Sequence, residues 1–295
     1  MIAVGALSIA ATIVVAACGA LSTSAAAPLS PSAVQTFSLS SKQFGNTRTI
    51  RVWLPPGYGD AANEHTLYPV LYLNDGFAVL SPKSWNAPEA LDRSVGTGEL
   101  RPLIVVGIDN GATASDGSVA QRTREYVPYR DAASDPDTSE AMGDRYPAFL
   151  VDEVMPAVAA RFRVRNDRAG VGVGGSSYGG VAALYAVLRR PDRFGRLMLE
   201  STPTFLANGS ILTEASAARR WPERISIAVG TAESEDPALN ASIVPAARRL
   251  EQIIHKASPS SQVRLFIEDG AAHNSKAWGR RLPLALKFLW GQSKD

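Results

Sequence analysis

Cysteine is almost absent from this chain. Cys18 is the single one among 295 residues, so the body of the chain has neither a disulfide framework nor a thiol nucleophile. Histidine is scarce too: His65, His255 and His273 are all there are. With no H-x-H or H-E-x-x-H spacing among them, no metal site and no cofactor is expected. Charge of one sign is also lacking, since 30 basic against 28 acidic residues leave a net charge of +2. No basic run is interleaved with aromatics, which argues against nucleic acid as a partner.

What is there first is an apolar, uncharged stretch over residues 1–20, only just long enough to span a bilayer. It runs into the small-residue tract Cys18-Gly-Ala-Leu-Ser-Thr-Ser-Ala-Ala-Ala27, as the apolar core of an export signal does. Val15-Ala-Ala-Cys18 resembles the lipobox of bacterial lipoproteins, whose cysteine becomes the acylated first residue. Cleavage after Ala25 or Ala27 fits the tract equally well. The missing Lys or Arg ahead of the apolar run departs from the usual signal. The expectation is a signal over residues 1–27 with Cys18 as a lipidation site. The protein would then be exported, whether periplasmic, anchored in a membrane by that lipid, or released.

Residues 28–40 are rich in Ser and Pro and read as a tether. From residue 41 to 295 a single catalytic domain is expected. Nearly continuous apolar runs such as Pro69-Val-Leu-Tyr-Leu73 and Pro102-Leu-Ile-Val-Val-Gly-Ile108 have the character of strands buried on both faces. Further strands are expected over 49–54, 169–174, 196–199, 225–229 and 263–267. Helical spacing links Ile243, Ala247, Leu250 and Ile254, and again Trp278, Leu282, Ala285 and Leu289. Pro156, Pro245 and Pro283 should kink or delay their helices. Strands alternating with helices imply an α/β fold: a mostly parallel central sheet with helices on both faces. A long polar insert around 110–145 leaves the sheet at its carboxyl edge, where ligands of open α/β sheets bind. It is expected to act as a cap or as part of a pocket.

Chemistry concentrates at Gly172-Val-Gly-Gly-Ser-Ser-Tyr-Gly-Gly180, which follows a strand and opens a helix. This is the setting of the G-x-S-x-G nucleophile elbow of the α/β-hydrolase fold. Gly175 and Gly179 frame Ser177, whereas the same frame around Ser176 would put Tyr178 where a small residue is needed. Gly170, Gly172 and Gly175 also match a dinucleotide fingerprint, but they lie within the strand run itself.

An elbow serine needs a base. His65 precedes the nucleophile in a polar loop, and His255 falls inside a helical pattern. His273 stands between the last strand and the last helix, in the chain order Ser, acid, His of this fold. The acid belongs after the penultimate strand. Glu233 is the first carboxylate there, with Glu235 and Asp236 as rivals. The oxyanion donors are expected from the backbone N–H of Tyr178 and, after the early strand ending Leu73-Asn-Asp-Gly76, that of Phe77.

Taken together, Arg51-Val-Trp-Leu-Pro-Pro-Gly-Tyr58, Tyr68-Pro-Val-Leu-Tyr-Leu-Asn-Asp-Gly76, Val105-Val-Gly-Ile-Asp-Asn110, Arg124-Glu-Tyr-Val-Pro128, the elbow, and His273-Asn-Ser-Lys-Ala-Trp278 are similar to a known group. The chain resembles the esterase family of the α/β-hydrolase superfamily that includes siderophore esterases, feruloyl esterases, S-formylglutathione hydrolases and secreted mycolyltransferases. Siderophore-esterase-type hydrolases are the nearest match. The resemblance implies a carboxylic ester hydrolase acting on a small-molecule ester through an acyl-enzyme. Ser177, His273 and Glu233 would be catalytic; some members work as a Ser–His dyad, without the third residue. Tyr178 and Phe77 would form the oxyanion hole. Trp85 and Arg124 match recurrent positions, either as substrate-binding residues or as core packing and a structural ion pair. Two alternatives stay open: an acyltransferase of the mycolyltransferase type, and a non-catalytic surface lipoprotein on a hydrolase scaffold.

Overall fold

The computed structural model describes Met1 and residues 29–111, 119–131 and 136–291. The signal over 1–27 and the lipidation call on Cys18 lie outside the described residues. Eight strands form one sheet: β1 (Ala33–Ser40), β2 (Thr47–Leu54), β3 (Val70–Asn74), β4 (Ile104–Ile108), β5 (Val171–Ser176), β6 (Arg196–Glu200), β7 (Arg224–Gly230) and β8 (Gln262–Glu268). Their order is β1-β2-β4-β3-β5-β6-β7-β8. The pairs β1/β2 and β2/β4 are antiparallel, and every pair from β4 to β8 is parallel. This is the α/β-hydrolase arrangement.

The helices are α1 (Gly76–Val79), α2 (Ala87–Gly96), α3 (Val119–Tyr126), α4 (Tyr146–Ala148), α5 (Met155–Ala159), α6 (Tyr178–Arg189), α7 (Leu206–Ala217), α8 (Pro237–Ala257) and α9 (Ser275–Trp290). A π-helical turn, Phe149–Val154, joins α4 to α5. Strand alternation sorts the core into two layers. Val70 and Tyr72 of β3 face a layer with Phe149, Leu184 and Leu250, while Leu71 and Leu73 face Leu91, Leu282 and Leu286. Both faces of the sheet are therefore dry, which explains why the central strands are apolar along most of their length.

The structure departs from the sequence reading in two places. Residues 33–40, expected as part of a tether, are strand β1, paired along its length with β2. Ser and Pro weighted that segment towards a linker, but Phe37 and Leu39 alternate with polar residues and pack on the core. Pro245 and Pro283, expected to kink or delay their helices, do not delay them: α8 and α9 start upstream and continue through both. Each proline removes one backbone donor, and the packed apolar faces of these helices outweigh that loss. Pro156 is the second residue of α5, directly after the π-helical turn.

Candidate active site

Every catalytic candidate lies at the carboxyl edge of the parallel strands. Ser177 follows the last residue of β5 and precedes α6, with φ 53° and ψ −131°. Such a backbone costs about 1–3 kcal/mol and persists only where its surroundings hold it. Here the Ser177 N–H donates to Glu200 O at 2.9 Å. Close approach of the chain to itself does the rest: a Cβ on Gly175 would stand 2.6 Å from the Gly179 carbonyl carbon. Ser176 stays in β5, buried and paired with Glu200 of β6. The glycine frame and the strained backbone thus agree on which serine occupies the elbow.

Glu233 stands in the loop between β7 and α8, its side chain 1% exposed. His273 stands immediately before α9, whose N-cap Asn274 accepts from the Ala277 N–H at 3.0 Å. His273 Nδ1 lies 2.8 Å from Glu233 Oε2. The other carboxylate oxygen, Oε1, accepts from Ser201 Oγ and from the Gly230 N–H, each at 2.5 Å. Burial pushes the Glu233 carboxyl up, but the bonds from His273, Ser201 and Gly230 outweigh it and hold the group below its ordinary value. An ionised carboxylate facing Nδ1 leaves that nitrogen protonated and Nε2 able to accept. Glu235 and Asp236 are not part of this pair: Asp236 caps α8 through the Ala238 and Leu239 N–H groups.

Ser177, Tyr178, Ser201, Glu233 and His273 line one cleft of about 220 Å³. Pro203, Phe205, Leu239, Ile243 and Ala246 are the apolar residues of the same lining. The Tyr178 N–H opens α6, where the helix dipole favours developing negative charge. Phe77 is the second residue of α1, half-exposed, on the turn that follows β3. The two turns are tied together: Asn74 Nδ2 donates to Gly179 O at 2.7 Å.

A family model described as "Putative esterase" matches residues 41–289. The chain belongs to this esterase family. Its reaction class is therefore carboxylic ester hydrolysis. Over 262 residues it is 25% identical to uncharacterized protein YbbA of Bacillus subtilis (strain 168), covering 88% of this chain and 98% of that one. It is 26% identical over 267 residues to an endo-1,4-beta-xylanase/feruloyl esterase of Xylanibacter ruminicola, covering 87% of this chain but 31% of that protein. Among solved structures, the Shigella flexneri enterobactin esterase in the presence of enterobactin shares the fold. The TM-score is 0.67 at 22% identity, over 90% of this chain and 61% of the other.

Three residues expected from the resemblance, Phe77, Trp85 and Arg124, are not among those that line the cleft; for the last two the sequence also allowed core packing and a structural ion pair. Trp85 is 3% exposed and sits in the core layer under α9, its ring 6.0 Å from that of Trp278. Arg124 pairs with Glu140 on the outer side of α3. The sequence reading missed Arg122, two residues earlier. Side chains two apart on a helix point about 200° apart, so Arg122 faces inward where Arg124 faces out. Arg122 Nε and Nη2 donate to the two Asp75 oxygens at 2.9 and 2.8 Å, and Nη2 reaches Ser176 O at 3.3 Å. Asn110 Nδ2 adds a bond to Asp75 at 3.0 Å. The insert therefore braces the Asn74–Asp75–Gly76 turn. Its described residues are not among those that line the cleft.

Proposed function

We propose that this protein is an exported serine esterase in which Ser177 is the nucleophile and His273 the general base. Glu233 orients the base, and the N–H groups of Tyr178 and Phe77 receive the oxyanion. The observation that carries the reading is the strained elbow of Ser177 sharing a cleft with a His273–Glu233 pair at 2.8 Å. In the first step Nε2 takes the Ser177 proton as Oγ attacks the ester carbonyl. The tetrahedral intermediate expels the alcohol, which leaves with that proton. Water, deprotonated by the same nitrogen, then releases the acid from the acyl-enzyme. Pro203, Phe205, Leu239, Ile243 and Ala246 give the cleft an apolar part. It suits an uncharged acyl group of modest size. Export rests on the apolar stretch and small-residue tract over residues 1–27.

The test is an ester panel on wild type and Ser177→Ala: short p-nitrophenyl esters, a feruloyl ester and a ferric trilactone siderophore. Turnover of at least one ester and fluorophosphonate labelling are expected for wild type alone. Labelling that survives Ser177→Ala would overturn the assignment. Cell fractionation of wild type and Cys18→Ala reads the export and anchoring.

A further inference from the structure

Behind Glu233 lies a buried polar cluster that none of the acyl-transfer steps uses. Its centre is Ser201, the residue after β6, buried and held at φ 48°. The Ser201 N–H donates to Ala228 O of β7 at 2.8 Å, which fixes the backbone in that strained state. Three groups meet at its hydroxyl. Trp278 Nε1 approaches at 2.9 Å and Arg281 Nη2 at 3.1 Å, and both can only donate. A hydroxyl has one proton and two acceptor sites. With both acceptor sites taken, the proton is directed at the remaining neighbour, Glu233 Oε1, at 2.5 Å.

We propose that Ser201 is a positioning residue of the esterase site, a one-way donor that locks the rotation of the Glu233 carboxylate so that Oε2 faces His273. This rests on the reading of Glu233 as the triad acid. Trp278 couples the two halves of the pair: its N–H orients Ser201 while its ring meets the His273 ring edge-on at 5.1 Å. Arg281, 2% exposed, is itself anchored by Glu200 at 2.7 Å and Glu268 at 3.1 Å. Three residues of α9 and the turn before it thus set the orientation of an acid delivered by a different loop.

The test compares Ser201→Ala, Ser201→Gly and Trp278→Phe with wild type, using a p-nitrophenyl ester that wild type turns over. Glycine suits the positive φ and removes the hydroxyl, so a folding defect and a lost donor are separable; melting temperature and near-UV circular dichroism read the fold. Loss of one bond to a charged group predicts a fall in kcat of about 10- to 100-fold with KM little changed. Trp278→Phe keeps a ring against His273 and removes only the donor to Ser201, so a smaller fall in kcat is expected. It carries the test should both Ser201 variants fail to fold. The far-downfield proton resonance of His273 Nδ1–H should shift or broaden in each variant. Unchanged kcat in a folded Ser201→Gly, or a rise in KM at constant kcat, would overturn the proposal. Activity surviving in Ser177→Ala would instead remove the reading on which it rests.

Discussion

A carboxylate paired with an imidazole can turn about its own bond, and what it does with its second oxygen decides whether the pair is useful. In this esterase Glu233 Oε1 receives two donors, Ser201 Oγ and the Gly230 N–H, and Oε2 receives one, from His273. That asymmetry makes a sharp prediction for Glu233→Gln. The amide oxygen will take the place where two donors converge, which turns the amide NH₂ towards His273 Nδ1. The ring must then accept at Nδ1 and carry its proton on Nε2, the tautomer that cannot receive the Ser177 proton. On the proposed triad, a fall in kcat on the order of 10⁴-fold with KM little changed is expected, as for the wrong tautomer in a Ser-His-Asp triad. Steady-state kinetics check it, with melting temperature as the control for folding. Loss of less than about tenfold would mean that Ser177 and His273 work as a dyad.

Among the elements, α3 shows how a helix whose described residues do not line the cleft can brace a turn beside it. At one end Glu125 pairs with Arg48 of β2 at 2.9 Å, both side chains wholly buried. Three residues earlier Arg122 clamps Asp75, which stands at φ 60° before α1. Arg122→Met leaves a buried carboxylate with Asn110 as its remaining side-chain donor among the described residues. Removing one partner of a buried pair costs about 3–5 kcal/mol, and the partial exposure of Arg122 puts this case at about 3. If Phe77 N–H is the oxyanion donor proposed above, kcat should also fall by about 10- to 100-fold, because Asp75 precedes the turn that carries it. Denaturant unfolding and kinetics on the same sample read both effects. None of this was visible in the sequence beyond an Asn-Asp-Gly turn and two arginines, of which Arg124, read as a pocket residue or a structural ion pair, forms an ion pair with Glu140. The elbow and His273 were legible because strand, turn and helix chemistry are local, and Glu233 because it is the first carboxylate beyond a strand end. Strand β1 was obscured by Ser and Pro. Arg281 and Glu200 lie 81 residues apart, and no periodicity links side chains that meet only because the sheet brings their loops to one edge.

At the scale of the molecule, parallel strands ending together collect acidic residues: Glu200 ends β6, Glu268 ends β8, and Glu233 follows β7. One cation, Arg281, faces all three, at 2.7, 3.1 and 4.0 Å. A single positive charge cannot neutralise three carboxylates, so the least supported should take up a proton. Glu268 keeps water contact and a second partner in Arg280. Glu233 has His273, Ser201 and Gly230. Glu200 is wholly buried, and its Oε1 has no donor among the described residues. Burial pushes the Glu200 carboxyl from 4.5 up to about 8, against the pull of Arg281. The linkage sign follows. A group that holds its proton more tightly folded than unfolded stabilises fully below the unfolded value, and that contribution is lost as pH rises through the folded one. Glu233 acts oppositely: its contribution is present above the ordinary carboxyl range and is lost as pH falls through its lowered folded value. Wild-type melting temperature should therefore decline from about pH 5 to about pH 8 as Glu200 is forced to ionise. Glu200→Gln, neutral at every pH and close in shape, should flatten that decline while leaving the acid limb, set in part by Glu233, in place. Thermal melts of the two proteins across this range test it. Parallel curves would show that Glu200 is ionised in the fold and that Arg281 is spent on it.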